Sequence, residues 1–382
     1  MIGIKEAFAL PEGVCYLNAA AIGPIPDVVQ QAGIAGISSK RQPWIRDRAA
    51  ARQMTDELRG LAAGLIGARS SDVAVITAVS YGIATVCAGH RPPPGSRFLV
   101  LAGEHTSLSL GLARHAEVHG CTLEIVEPTH GDDWTAALTA ALLRPGAAPV
   151  SFAGLTPLHW TSGAVVDLSR IIPIIHAQGG VVLVDATQAA GIMPIDVTKL
   201  QPDWLVFPTY KWLLGPFHLA FLYVAPQHQE IQPLEQHVGT RQGPNPALVQ
   251  DSSQLAFASG ATRLDSGEPD TFAAIPMGLA ALTFMTGWSA EAASAHVSSL
   301  TKIIAEGLKS LSLCTVEDRF RSPHILAVRG QSPFPESMVA RLAARNVHIS
   351  VRHGLIRISP HVYNLDADAA QCLTALSYEL SR

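Results

Sequence analysis

The chain has 382 residues, of which 48% are apolar and 15% charged, so it can bury a sizeable core and is not a disordered protein. The net charge is −4 and no basic block or stripe occurs, which argues against nucleic acid as the main partner. Five scattered cysteines without metal-ligand spacing predict reduced thiols in a cytoplasmic protein that holds no metal. Glu6, Pro11 and Glu12 interrupt the apolar core that a signal peptide needs, and no run of about 18 apolar residues predicts a membrane span.

The first two thirds of the chain alternate between short apolar runs and segments with helical spacing. In segment 167–180, Asp167 or Ser169 can cap a helix with an isoleucine-rich face, and two glycines end it. Because near-continuous apolar strands alternate with helices, we expect an α/β fold with a large, mostly parallel sheet covered on both faces. The predicted strands are VAVIT (73–77), RFLVLAG (97–103), TLEIVE (122–127), VSFAGLT (150–156), GVVLVDA (180–186) and WLVF (204–207).

The pattern changes after the last of these strands. Segment 226–270 is rich in Gln, Pro, Gly, Ser and His, which is typical of loops. We therefore predict a large domain over residues 1–255 and a small α+β domain over residues 256–382. The elements predicted beyond the loops are helices near 271–286, 290–311, 335–345 and 366–380 and strands near 324–330, 347–351 and 355–359.

Two charged residues follow buried strands at what should be the same edge of the sheet. Asp185 ends one apolar run, and Lys211 follows another among bulky apolar residues. The carboxyl ends of parallel strands form the crevice in which α/β folds bind ligands. An apolar setting lowers the pKa of a lysine, and a neutral amine can form a Schiff base with an aldehyde. The alternatives are a turn-capping Asp185 and a surface Lys211 that reaches solvent, and the apolar neighbours on both sides fit the latter poorly.

Together the two residues match what a pyridoxal phosphate enzyme needs, because the lysine can tether the aldehyde and the carboxylate can keep the pyridine nitrogen protonated. On the residues DATQ (185–188), TYKWLLGP (209–216) and YLNAAAIGPIP (16–26), the sequence resembles the fold-type-I pyridoxal phosphate enzymes. More narrowly, it resembles the class V aminotransferase family, which includes cysteine desulfurases, kynureninase and isopenicillin N epimerase-like proteins. The resemblance covers nearly the whole chain. It implies pyridoxal 5'-phosphate as cofactor, a small amino-acid substrate and a homodimer.

The resemblance also implies roles for single residues around the cofactor. Val79 and Ser80 stand at the family's phosphate loop, where backbone N–H groups at a helix start bind phosphate. His105, in the stretch EHTS, matches the ring that stacks on pyridoxal. Gln188 would bond the pyridoxal 3-hydroxyl, because Trp160 or His159 occupies the place where relatives often carry an Asn.

Three further parts of the site are implied in the same way. Trp160 would wall the substrate pocket. Tyr210, assisted by Thr209, would contact the phosphate where desulfurase relatives use a His. Gly267 and Thr271 belong to the stretch SGEPDTF, which matches a loop that completes the phosphate site of a second subunit.

Substrate binding is implied for two residues, and the reaction is limited by a departure from the family pattern. Arg357, in LIRIS followed by HVYN, would form a bidentate pair with the substrate α-carboxylate, and Asn18 is the second substrate-binding candidate. The region 346–359 contains no cysteine, whereas desulfurases need a mobile nucleophilic cysteine there. Cys314 and Cys372 are the nearest.

We therefore expect an enzyme that acts at Cα of an amino acid as a transaminase or a C–S/β-elimination lyase. Lys211 is both the tether and the base in this hypothesis. Epimerisation is an alternative because it shares the same first step. A non-catalytic binding protein of the same fold is a second alternative, which the presence of Asp185, Lys211 and Arg357 disfavours. A nicotinamide-dependent enzyme would need a GxGxxG fingerprint, which the sequence does not contain.

Overall fold

The computed structural model describes residues 4–128, 130–242, 251–268 and 270–381. Its strands are β1 (Cys15–Tyr16), β2 (Val73–Ile76), β3 (Arg97–Leu101), β4 (Thr122–Val126), β5 (Val150–Leu155), β6 (Val181–Asp185), β7 (Trp204–Pro208), β8 (Ala220–Val224), β9 (Cys314–Thr315), β10 (Leu326–Arg329), β11 (Val347–His348), β12 (Ser350–Arg352) and β13 (Leu355–Ile358). Its α-helices are α1 (Asp27–Ser39), α2 (Arg48–Leu65), α3 (Val79–Gly89), α4 (Thr106–Val118), α5 (Trp134–Leu142), α6 (Leu168–Ala177), α7 (Val197–Leu200), α8 (Ala274–Thr286), α9 (Ala290–Lys309), α10 (Ser337–Ala343) and α11 (Asp366–Leu380).

Seven strands form the large sheet in the order β2-β8-β7-β6-β5-β3-β4. Neighbouring strands from β7 across to β4 are parallel, and β8 lies antiparallel between β2 and β7. The prediction of an α/β fold with a mostly parallel sheet is confirmed, and the six predicted strands are β2 to β7. The sequence interpretation missed β8. The connection 209–219 that precedes β8 contains no helix, and such a connection favours an antiparallel neighbour.

Alternate strand residues face opposite sides of this sheet, and each side packs on helices. Val73 and Val75 of β2 belong to the core that includes α2, α5 and α6. Ala74 and Ile76 belong to the core that includes α3 and α4. The sheet is therefore buried on both faces, and its carboxyl edge is left as the place where polar residues can gather.

The C-terminal part of the chain forms a second, antiparallel sheet in the order β12-β13-β10-β9. Its core includes residues of α9, α10 and α11. The N-terminal segment joins this part, because β1 pairs with β11 and Asn18 forms a bridge to Ser359. In contrast, α8 contributes Ile275 and Leu282 to the core of the large sheet. The boundary near residue 255 stays a prediction.

All five cysteines are free thiols. None of the helices in the described ranges combines the length and apolar character that crossing a bilayer requires. The cytoplasmic location stays a prediction.

A buried ion pair fixes the segment that leads into the stretch 266–272. Arg59 of α2 donates two hydrogen bonds to the carboxylate of Asp265, at 2.9 and 2.8 Å. The same carboxylate accepts the N–H of Val75 in β2 at 2.8 Å. The Arg59 and Asp265 side chains are only 6% and 8% exposed, so Asp265 is the buried counter-ion of Arg59, and the 71% exposed Asp56 is a second one at 3.6 Å.

We expect Asp265→Ala to lower the free energy of unfolding by about 3–5 kcal/mol, because it removes the buried counter-ion of the Arg59 guanidinium and leaves it the exposed carboxylate of Asp56, 3.6 Å from Nε. Glu117→Ala is the matched control. It removes an ion pair with Arg114 in which both side chains are 70% exposed, and it should cost less than about 1 kcal/mol. Urea unfolding of the two variants measures the difference. Equal losses would contradict the structural role of the buried pair.

Candidate active site

A cavity of about 250 Å³ lies at the carboxyl edge of the large sheet. It is lined by residues that end or closely follow five strands of this sheet: Thr77, Glu104, Thr156, Asp185 and Pro208. Strands that are distant in sequence thus bring their polar ends to one place. The predicted site residues that line the cavity are Val79, Ser80, His105, Trp160, Asp185, Gln188, Tyr210 and Lys211.

Lys211 is a buried amine without a polar partner. Its side chain forms no hydrogen bond or ion pair with any residue that the structure describes, and its nitrogen lies 5.5 Å from the centroid of the Tyr210 ring. Burial lowers the pKa of Lys211 to about 8, the positive charge of Arg357 acts in the same direction, and Asp185 opposes them. A neutral amine is therefore accessible near physiological pH.

The N-terminal motif YLNAAAIGPIP packs directly on the lysine segment. The N–H of Gly23 donates to the carbonyl of Tyr210 at 2.9 Å. A Cβ at Gly23 would lie 2.2 Å from the Lys211 carbonyl oxygen, so only glycine permits this approach. The motif therefore holds the backbone that carries the lysine.

Asp185 and Gln188 follow β6 on the same side of the cavity. One carboxylate oxygen of Asp185 accepts the N–H of Thr187 at 2.9 Å, and the side chain is buried. The Gln188 amide accepts the indole N–H of Trp212 at 2.8 Å and donates to the Ala20 carbonyl at 3.1 Å. These bonds fix the orientation of the amide, and its NH₂ group retains one hydrogen for another acceptor.

The first turn of α3 presents unbonded backbone N–H groups to the cavity. Its N-cap is Ala78, whose side chain cannot cap, and the N–H of Gly82 bonds back to the Ala78 carbonyl. Val79 and Ser80 precede that bond and line the cavity. Free N–H groups and the helix dipole at this position favour an anion.

Glu104 is a site residue that the sequence interpretation missed. Its carboxylate accepts the backbone N–H of His105 at 2.7 Å and the hydroxyl of Thr156 at 2.9 Å. Burial raises the pKa of Glu104 to about 7, and the neighbouring Asp185 contributes in the same direction. The sequence signal that could have identified Glu104 is its position directly after a buried strand, next to His105.

Trp160 forms one wall of the site, and Arg357 lies behind it. The indole N–H of Trp160 donates to the Gly103 carbonyl at 2.8 Å, so it has no donor left for a cofactor oxygen. Arg357 lies behind this wall and donates to the Trp160 carbonyl at 3.0 Å and to the Ser350 hydroxyl at 3.3 Å. It is 1% exposed and has no carboxylate partner among the residues that the structure covers. Burial lowers the pKa of Arg357 to about 9.

Some predicted residues do not reach the cavity of this chain. Thr209 is completely buried and its hydroxyl bonds to two backbone carbonyls, those of Pro216 and Leu219, so the geometry does not support a contact with the phosphate. The backbone N–H of Gly267 bonds to the Glu235 carboxylate at 2.6 Å, and Thr271 borders a separate groove.

Asn18 and His159 do not line the cavity either, whereas His218 does. Asn18 is not among the residues found to line the cavity, and its buried side-chain oxygen has no hydrogen-bond partner in the described part of the chain. His159, the alternative to Trp160, bonds to the Ala102 carbonyl at 3.1 Å and stacks on a buried tryptophan instead. His218 lines the cavity but was not predicted.

Comparison with known families identifies the group to which this fold and cavity belong. The family described as Aminotransferase class-V matches residues 16–371. The chain belongs to the class V aminotransferase family. Its cofactor is pyridoxal 5'-phosphate, so the predictions of family and cofactor are confirmed.

Relatives within this family carry out different reactions. Kynureninase from Pseudomonas fluorescens is 27% identical over 245 residues, which cover 60% of this chain and 56% of that protein. A probable cysteine desulfurase from Pasteurella multocida is 25% identical over 395 residues, covering 97% and 90%. A mutant of C-DES with glycine covalently linked to its PLP cofactor shares the fold with a TM-score of 0.85, at 22% identity and 98% coverage of both chains. Another structure describes C-DES as a cystine C–S lyase in complex with cysteine persulfide, with a TM-score of 0.82 at 21% identity, covering 96% of this chain and 98% of that one.

The cavity of this class V chain fits pyridoxal phosphate. An unpartnered buried amine, Lys211, can hold an aldehyde. A buried carboxylate, Asp185, can hold a protonated ring nitrogen. The open N–H groups that begin α3 can hold a phosphate.

We expect Glu104→Gln to change how stability depends on pH. The carboxyl of Glu104 has a pKa raised from 4.5 to about 7, so the folded wild type keeps a proton that the unfolded chain releases in this range. The wild type should therefore lose stability relative to Glu104→Gln as pH rises from about 4.5 to about 7. Glutamine preserves both hydrogen bonds, since its oxygen can accept from His105 and its NH₂ can donate to Thr156.

Urea unfolding at about pH 5 and about pH 7.5 measures this difference. Glu127→Gln, at an exposed position, is the control and should leave the pH dependence unchanged. The same pH dependence in wild type and Glu104→Gln would show that Glu104 is ionised throughout.

Proposed function

We propose that this protein catalyses a reaction at Cα of an α-amino acid and that the outcome is elimination of a side-chain group or transamination, without a cysteine nucleophile of its own. The observation that carries the proposal is the unpartnered amine of Lys211 in one cavity with Asp185. The buried and unpaired Arg357 lies directly behind the cavity wall.

The cofactor-holding residues are proposed from their positions. Lys211 tethers the aldehyde, Asp185 holds the ring nitrogen in its protonated form, and His105 stacks on the ring. Val79 and Ser80 bind the phosphate at the start of α3. Gln188 donates its remaining amide hydrogen to the 3-hydroxyl, while Tyr210 and Trp160 bound the site at its sides.

Lys211 is also the group that we propose to move the Cα proton. Bound pyridoxal phosphate supplies an electron sink that makes the Cα proton of an attached amino acid removable. Once released from the tether, the Lys211 amine is buried and its lowered pKa, about 8, keeps a useful fraction in the basic form. Its unpartnered nitrogen needs to break no hydrogen bond before it accepts the proton.

Arg357 and Asn18 are proposed to bind the substrate. Arg357 is a buried guanidinium with no acid near it in the described part of the chain, which is costly unless a carboxylate arrives from outside. Its planar donors match the α-carboxylate of an amino acid. The orphaned side-chain oxygen of Asn18 forms no bond in the described residues, and its backbone pairs with Ser359, two residues beyond Arg357.

The positions of the cysteines support a route without an enzyme persulfide. No cysteine is among the described residues that line the cavity. Burial raises the pKa of Cys87 and Cys372 to about 12, so neither is a thiolate at neutral pH. Cys314 is exposed on β9, in the second sheet. The description of C-DES as a cystine C–S lyase is in keeping with an elimination on this fold.

We also propose that the protein acts as a homodimer. Four large apolar side chains of the segment 34–45 are more than half exposed: Ile34, Ile37, Trp44 and Ile45. A patch of this kind favours a protein partner. Ile37 and Thr271 border the same groove, so a second copy on this surface would lie near the loop that carries Gly267 and Thr271.

Product analysis tests the proposed reaction. The holoenzyme is incubated with single amino acids, including cysteine and cystine, and the products are separated. Elimination yields ammonia together with a keto acid that has lost the side-chain group. Transamination yields the intact keto acid and converts the cofactor to pyridoxamine phosphate.

We expect one of these two outcomes, and a Cys314→Ser variant should retain full activity. Accumulation of sulfur on a cysteine of the enzyme, detected by mass spectrometry, would contradict the proposal. Racemised substrate without ammonia or keto acid would instead support the epimerase alternative.

A further inference from the structure

The hairpin that carries Arg357 places a second arginine on the same face. Ser350 of β12 pairs directly with Arg357 of β13, and Arg352 pairs with Leu355. Because side chains alternate along a strand, Ser350, Arg352, Leu355 and Arg357 all point to one side of the sheet. Arg352 is therefore the diagonal neighbour of Arg357, a relation in which long side chains reach each other.

Arg352 has no acidic partner among the residues that the structure describes. Its only hydrogen bond to a described residue goes to the carbonyl of its own neighbour, Val351, at 2.8 Å. The side chain is half-buried. The positive charge of Arg352 contributes to lowering the pKa of both Lys211 and Arg357, so the guanidinium lies within electrostatic reach of the cavity.

The tip of the hairpin is docked on the cavity wall. His353 and Gly354 form the turn with positive φ values of 49° and 76°. The His353 ring lies edge-on to Trp160, with centroids 5.8 Å apart. The turn that follows Arg352 thus contacts the same tryptophan whose carbonyl accepts a hydrogen bond from Arg357, so the two arginines share one face of the hairpin beside the cavity wall.

The proposed roles assign no anion to Arg352 when cofactor and substrate are bound. In the proposed function, the released Lys211 amine acts as the neutral base and Asp185 neutralises the ring nitrogen. Arg357 takes the α-carboxylate of the substrate. The phosphate is assigned to the start of α3 and not to the hairpin. Arg352 has no anion assigned to it and is therefore available for the substrate side chain.

We propose that Arg352 selects substrates whose side chain ends in a second anionic group such as a carboxylate. The inference rests on the proposed function, since it presupposes an amino acid held at its α-carboxylate by Arg357. A guanidinium that is half-buried and unpaired binds such a group by charge-assisted hydrogen bonds, whereas an isosteric amide leaves it unpaired.

The test compares acids with their amides on the holoenzyme. Aspartate and asparagine form one pair, and glutamate and glutamine form another. Dissociation constants are read from the change in the visible spectrum of the cofactor in wild type, Arg352→Gln and Arg357→Gln. Arg319→Gln is the control, because Arg319 is an exposed arginine paired with Glu317 outside the hairpin.

We expect the wild type and Arg319→Gln to bind at least one acid roughly 10- to 100-fold more tightly than its amide. Arg352→Gln should reduce this ratio to about one while leaving the affinity for the amide unchanged. Arg357→Gln should weaken the acid and the amide by a similar factor, since both carry the α-carboxylate.

Two results would overturn the inference. In one, the wild type binds the amides as tightly as the acids, or binds only uncharged side chains. In the other, Arg352→Gln weakens the acid and the amide equally, which would place Arg352 on the α-carboxylate. If no amino acid of any charge changes the cofactor spectrum, the proposed function fails together with the inference, and the three results are therefore distinguishable.

Discussion

The burial of one amine is the constraint on which the site depends. Lys211 is buried beside the cavity and forms no hydrogen bond or ion pair with any described residue. An ammonium in this position is disfavoured, and burial accordingly lowers its pKa to about 8. The sheet makes the position possible, because its strands are apolar on both faces and end at a common edge. A reactive lysine is thus a consequence of where β7 ends.

The rest of the fold closes that edge from two directions. The N-terminal motif packs on the lysine backbone through Gly23, where no side chain could fit. The same segment then pairs with the C-terminal sheet through β1 and Asn18. That sheet carries Arg357 against the carbonyl of Trp160. The segment that carries Lys211 and the hairpin that carries Arg357 are therefore connected through the N-terminal segment, which contacts both.

Much of this arrangement could be predicted from the sequence because strand ends are visible as apolar runs. Asp185 and Lys211 each follow such a run, and the structure places both in one cavity. What could not be predicted depends on contacts between distant segments. The hydroxyl of Thr209 looked available but is used by the carbonyls of Pro216 and Leu219. Glu104 looked like an ordinary acid, and its raised pKa results from burial beside segments that are distant in sequence, among them Thr156 after β5. The position of Arg352 became visible only with the register of its hairpin.

The most direct test of the account is to locate the covalent attachment of the cofactor. The holoenzyme is reduced with borohydride, digested, and analysed by mass spectrometry for a pyridoxyl label. The account predicts that the label is found on Lys211 and is absent from Lys5, Lys40, Lys199, Lys302 and Lys309. A label on any of these other lysines, or an unlabelled protein that takes up no pyridoxal phosphate, would contradict it.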